Sequence, residues 1–134
     1  MFSHATVGTS DLKQAAAFYD AVLLEIGLIP REVVPDGGPA ARCWVRAGQA
    51  LPRFYVYQPF DSRPASAGNG SMVAFTAMSP EAVDRAHAAG LIAGGTDEGA
   101  PGLRPHYGAG YYGASLPTPD GTTASICPSG RPPG

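Results

Sequence analysis

Apolar and polar positions along this 134-residue chain follow the same order twice. Ser3-His4-Ala5-Thr6-Val7 and Ser71-Met72-Val73-Ala74-Phe75 are short, mostly apolar runs 68 positions apart, and each reads as a strand. Each leads directly into a helix start, Ser10-Asp11-Leu12 in the first copy and Ser79-Pro80-Glu81 in the second. In the first helix, Leu12, Ala15, Ala16, Tyr19, Val22, Leu23 and Ile26 recur at helical spacing and form one apolar face. Ser10 is placed to accept from free N–H groups at its start, and Asp11 suits the positive end of the helix dipole. Gly27 offers a left-handed stop. The second helix tolerates Pro80 in its first turn, where a missing N–H costs little. Its inner face is Val83, Ala86, His87, Gly90 and Leu91, and Gly94 and Gly95 end it. The two helices run in step: Ala15 matches Val83, Tyr19 matches His87 and Leu23 matches Leu91.

Between and after the helices the pattern changes to strand-like runs. Leu28 to Val34 is closed by the turn Pro35-Asp36-Gly37-Gly38. Ala41 to Ala47 and Arg53 to Gln58 follow, the latter rich in strand formers. After the second helix, Gly94 to Gly110 is a long glycine- and proline-rich segment. Tyr111 to Leu116 and Thr122 to Cys127 then flank Pro119-Asp120-Gly121, a hairpin signal. Strands with few helices between them predict an α+β fold with mainly antiparallel pairing. A single domain over 1–134 is expected. Module one covers about 1–60, a Pro/Gly/Ser linker about 61–70 and module two about 71–128, and a short C-terminal tail follows.

Composition narrows the function classes. The chain is 44% hydrophobic and 15% charged, which fits a soluble globule rather than a disordered segment. A net charge of −2 supplies no field to attract nucleic acid or an anionic membrane, so neither is expected as a partner. No apolar run approaches the roughly 20 residues of a membrane span. The start, Met1-Phe2-Ser3-His4, lacks a basic segment followed by an apolar one, and a cytoplasmic location is expected. Two cysteines, Cys43 and Cys127, are too few for a disulfide framework and read as buried, reduced thiols.

The chain also resembles a known family. His4, Asp11-Leu12 and Ala17-Phe18-Tyr19 resemble the opening of the vicinal oxygen chelate superfamily, which includes glyoxalases, bleomycin-resistance proteins and extradiol dioxygenases. Pro119-Asp120-Gly121-Thr122 resembles its final hairpin. The stretches from Pro59 to Gly70 and from Gly95 to Tyr107 are similar to a bacterial glyoxalase-like subgroup. The resemblance implies two tandem βαβββ modules forming a curled, mainly antiparallel sheet around a ligand cleft. It also implies a homodimer.

Metalloenzymes of that superfamily hold a divalent metal with one residue from the first strand and one from the last strand of each module. The resemblance places those positions here at His4, Met72 and Ser125. The fourth is Tyr57 by the 68-residue offset, or Tyr55 if the last strand is shifted. Only His4 is an ordinary ligand. Methionine suits copper(I) rather than a hard divalent ion, serine brings no charge, and tyrosine ligates only after losing a proton near pH 10. No metal and no other cofactor is therefore expected. His4 reads either as a hydrogen-bonded histidine at a strand end or as a polar group on the cleft floor. In the second case it is the best candidate for a catalytic base.

Further candidates are aromatic or lie in the long glycine-rich segment. Tyr55, Tyr57, Tyr111 and Tyr112 fall on strands that would line the cleft and would suit a flat or apolar ligand. Side chains alternate along a strand, so only one of Tyr111 and Tyr112 can face inward. A two-residue turn puts Tyr112 on the face of Ser125, and a three-residue turn with a bulge puts Tyr111 there. Arg104, His106 and Tyr107 form either a lid over the cleft or a solvated loop. His87 belongs to the apolar stripe of its helix. There is no Gly-x-Ser-x-Gly elbow and no phosphate loop, and the only lysine, Lys13, lies on a polar helix face. Three readings compete: a metal-free protein that binds a small apolar or aromatic molecule, a metal-dependent lyase, isomerase or dioxygenase, and a metal-free enzyme using His4 or a tyrosine.

Overall fold

The computed structural model describes residues 2–59, 61–66, 71–96, 100–104, 112–121 and 123–128. The first module runs β1 (His4–Gly8), α1 (Leu12–Leu24), β2 (Leu28–Arg31), β3 (Ala41–Arg46) and β4 (Arg53–Tyr57). The second runs β5 (Met72–Ala77), α2 (Pro80–Ile92), β6 (Gly102–Leu103), β7 (Tyr112–Pro117) and β8 (Thr123–Pro128). Both are βαβββ units, as the resemblance implies. The sheets have matching orders, β1-β4-β3-β2 and β5-β8-β7-β6, so the first strand of each module is an edge strand. It pairs in parallel with the last strand, and all other pairings are antiparallel. Each module contributes its own four-stranded, mainly antiparallel sheet.

Local chemistry sets the element ends, with one difference from expectation. Asp11, not Ser10, is the N-cap of α1, and its carboxylate accepts from the Gln14 N–H at 3.0 Å. Ser10 ties distant segments together instead. Its hydroxyl accepts from the Ala65 N–H at 2.8 Å, and its own N–H donates to Asp120 at 3.1 Å. Ser79 caps α2 by accepting from the Ala82 N–H. Gly27 and Gly94 follow the helices at φ 90° and 104°, conformations that a side chain disfavours. The short strand β6 falls inside the segment read from sequence as irregular.

The helices lie against one face of each sheet and against each other, and a single core joins both modules. Phe18 is fully buried although it lies off the apolar face read from the sequence. Phe18 packs toward module two near Gly95. Phe54 of β4 meets Phe75 of β5 edge-on, with ring centroids 5.0 Å apart. Trp44 is buried against Tyr19 and Phe54, and its indole N–H donates to Asp20 at 2.9 Å. Leu91 is the exception on the inner face of α2, at 37% exposure.

Candidate functional site

Strand register decides which side chains share a surface. On β1 and β4 the paired residues Ala5–Phe54 and Val7–Val56 face the helix. The alternate pairs His4–Arg53 and Thr6–Tyr55 lie on the opposite face, together with Tyr57. Antiparallel pairing extends that face across the sheet, with Cys43 beside Tyr55 and Arg31 beside Cys43. In module two the pairs Val73–Ala124 and Phe75–Ile126 face the core, while Met72, Ala74 and Ser125 face away. His4 and Met72 thus hold equivalent positions on the helix-averted faces of their sheets. The duplication read from the sequence requires this.

The same register resolves the fourth position. Thr6 pairs with Tyr55, and its equivalent Ala74 pairs with Ser125. Tyr55 is therefore the counterpart of Ser125, and Tyr57 is the counterpart of Cys127. The first strands and helices keep the 68-residue offset, but the last strands are offset by 70 because module two has two more residues between helix and last strand.

The hairpin register assigns the tyrosines. Ser115 pairs with Ser125, so odd-numbered positions of β7 share the face of Ser125. Tyr112 is turned to the helix side, where its hydroxyl donates to Asp84 of α2. That bond is the main cause of the rise in its pKa. Tyr112 is thus removed from the candidate site, because the hairpin has an odd-numbered connection rather than a two-residue turn. Tyr111 and His106 lie outside the described residues. Arg104 folds back on its own segment, donating to the Ala100 carbonyl at 2.7 Å. His87 is buried on the inner face of α2.

On module one the helix-averted face is a connected aromatic and cationic surface. The His4 ring meets Tyr55 edge-on at 5.7 Å, and Tyr55 stacks with Tyr57 at 5.7 Å. His4 Nδ1 is hydrogen-bonded to the Ser3 hydroxyl at 2.9 Å. Arg53 donates from Nη1 to the Tyr55 hydroxyl at 3.3 Å and from Nε to the Ala50 carbonyl at 3.1 Å. Burial pushes the Cys43 thiol pKa up, while Tyr55, Arg53 and Arg31 nearby oppose the shift. Arg31 and Arg53 were not singled out in the sequence, and Cys43 only as a buried thiol. The alternation Arg53-Phe54-Tyr55-Val56-Tyr57 already places Arg53 with the two tyrosines.

The surface over His4 is open rather than enclosed. A cavity of about 680 Å³ lies beyond the C-terminal ends of β1 and β4, lined by Thr9, Gly38, Pro39, Gln58 and Arg63 among others. A smaller one of about 320 Å³ shares Gly38, Pro39 and Gln58 with it and reaches Tyr57. The aromatic face therefore runs from His4 along β4 to these hollows.

Among solved structures, a glyoxalase/bleomycin resistance protein from Albidiferax ferrireducens T118 is 36% identical over 95% of this chain and 97% of that one, with a TM-score of 0.77. The chain belongs to the glyoxalase/bleomycin resistance protein family. The fold is shared more widely. A glyoxalase/bleomycin resistance protein/dioxygenase family enzyme from Burkholderia phytofirmans PsJN is 20% identical over 94% of this chain and 96% of that one, TM-score 0.69. A lactoylglutathione lyase from Agrobacterium tumefaciens is 20% identical over 96% and 93%, TM-score 0.64. No protein-family model and no curated protein matches the sequence.

The metal that this glyoxalase-type fold implies does not fit the residues present. The positions that the resemblance implies for metal ligands are, by register, His4, Tyr55, Met72 and Ser125. Only His4 is an ordinary donor for a hard divalent ion. Tyr55 already accepts from a guanidinium, and Arg53 is the direct cross-strand neighbour of His4. A divalent cation held by His4 would face that positive charge at close range. No helix among the described residues is long and apolar enough to cross a membrane.

Proposed function

We propose that this protein binds a small, flat, apolar or aromatic molecule on the helix-averted face around His4, Tyr55 and Tyr57, without a catalytic metal. The observation that carries the reading is the donor set. Met72 and Ser125 hold the positions equivalent to His4 and Tyr55 in the duplicated fold, and Arg53 stands beside His4. The stacked tyrosines offer a planar apolar surface. His4, on their edge, offers a ring nitrogen to a polar group of the ligand, and as a neutral imidazole it can accept a proton. Two free thiols, Cys43 and Cys127, suit a reducing, cytoplasmic setting.

The test is metal analysis of untagged protein, with a His4→Ala variant beside it. The expected result is less metal than one ion per chain, unchanged by the substitution. Stoichiometric zinc, nickel, iron or manganese that disappears in His4→Ala would overturn the reading. It would favour a metal-dependent lyase, isomerase or dioxygenase instead.

A further inference from the structure

The charged strand residues on the helix-averted face of module one are the cations Arg31 and Arg53, with Glu32 and Asp36 in the bordering hollows. The strands of module one contain four arginines, Arg31, Arg42, Arg46 and Arg53, and no aspartate or glutamate. The strands of module two contain no charged residue. Among the described residues the ion pairs are Arg63–Asp61 and Arg85–Glu25, so Arg31 and Arg53 have no carboxylate partner. Both lie on the aromatic face, Arg53 directly beside His4 and Arg31 across Cys43 from Tyr55. Arg53 spends one guanidinium N–H on the Tyr55 hydroxyl and one on the Ala50 carbonyl. A guanidinium has five donors, so Arg53 keeps others for a ligand.

From this arrangement we infer that the bound molecule carries a carboxylate, held by Arg53 and Arg31, on a flat body that lies along Tyr55 and Tyr57. The inference rests on the metal-free reading above and names its ligand class. Two physical arguments support it. A guanidinium fork matches the two oxygens of a carboxylate and forms short, charge-assisted hydrogen bonds. The face offers an apolar platform next to that charge, with Tyr55 stacked on Tyr57 at 5.7 Å and the His4 ring at its edge. The net charge of the chain is −2, so this local positive field is not a general feature of the surface.

The experiment titrates the full, chelator-treated chain with benzoate and with its neutral analogue benzamide. Binding is followed by calorimetry and by amide chemical shifts. Benzoate is expected to bind about tenfold tighter or more, the scale of one charge-assisted hydrogen bond. Arg53→Gln should cut the ratio of benzoate to benzamide affinity by several-fold, whatever it does to the affinity of either compound alone. Arg31→Gln should reduce the preference in part, and the melting curve of each variant checks that it is folded. Equal binding of the two compounds by the native chain overturns the carboxylate assignment but leaves the metal-free reading standing. So does an undiminished preference in the folded Arg53→Gln variant. Failure of both compounds to bind at millimolar concentration overturns the assignment as well. Benzoate binding that appears only on adding a divalent metal overturns the metal-free reading and the carboxylate assignment with it.

Discussion

Tyr19 links the residue chemistry to the stability of the whole fold. Its ring is buried among Phe18, Trp44 and Phe54, and its hydroxyl lies within hydrogen-bond reach of Thr118 in the other module. Burial, reinforced by the nearby Asp120 carboxylate, pushes its pKa well above the ordinary value of 10.0. The sign of the linkage follows. Above pH 10 the unfolded chain releases this proton and the folded chain keeps it, so the folded state binds more protons and stability falls as pH rises. The stability contributed by neutral, buried Tyr19 is present in full below pH 10 and is lost as pH climbs toward the folded value. Urea midpoints at pH 8 and pH 11 should show this loss. Tyr19→Phe should shrink the difference between the two pH values, and a midpoint difference as large as that of the native chain would assign the effect elsewhere. Tyr112 is the contrasting residue: its pKa also rises, but through the Asp84 hydrogen bond at an exposed site, so it contributes little to stability.

At the scale of elements, the two helices meet where a side chain is missing. Gly90 of α2 faces Val22 of α1 and Leu116 of β7. A Cβ there would overlap Leu116 Cδ2 and lie 2.9 Å from Val22 Cγ2. Alanine is the better helix former by about 1 kcal/mol, but overpacking a tight core costs about 1–3 kcal/mol. The obstructing groups belong to two different elements, so neither can retreat without disturbing the other. Gly90→Ala is therefore expected to lower unfolding free energy by about 0–2 kcal/mol in a denaturant titration, the overpacking cost less the propensity gain. A raised midpoint would show that α1 and α2 are less tightly apposed.

Helices were the most legible elements because their face repeats over three or more turns. Their inner residues emerge as expected, apart from Phe18 and Leu91. The N-cap was displaced by one position because two capping residues, Ser10 and Asp11, stand side by side, and only tertiary contacts separate their roles. The β6 strand was hidden because two residues carry no periodicity. In the candidate site, His4 and Met72 were legible from the repeat. The assignment of Tyr55 over Tyr57 was not, because two extra residues after α2 leave no mark until strand pairing is known.

On the scale of the whole molecule, the duplicated modules pack helix to helix and leave both first strands as free sheet edges. The exposed residues at these edges are small or uncharged: Ala5 and Thr6 on β1, and Met72, Ala74 and Thr76 on β5. Neither strand carries the lysine, the inward charge or the proline that usually protects an edge from pairing. His4 and Met72 sit on these edges, and neither lines the cavity beyond the end of β1. We propose that a second copy of the chain covers them in a two-fold dimer, which would also wall in the aromatic face of module one. Light scattering at micromolar concentration is expected to give twice the monomer mass. Ala5→Lys with Ala74→Lys, which place like charges on both edges, should return it to the monomer mass while the helical circular dichroism signal persists. A native chain that scatters as a monomer would end the proposal, and so would a double variant that stays dimeric, because the contact would then lie on another surface.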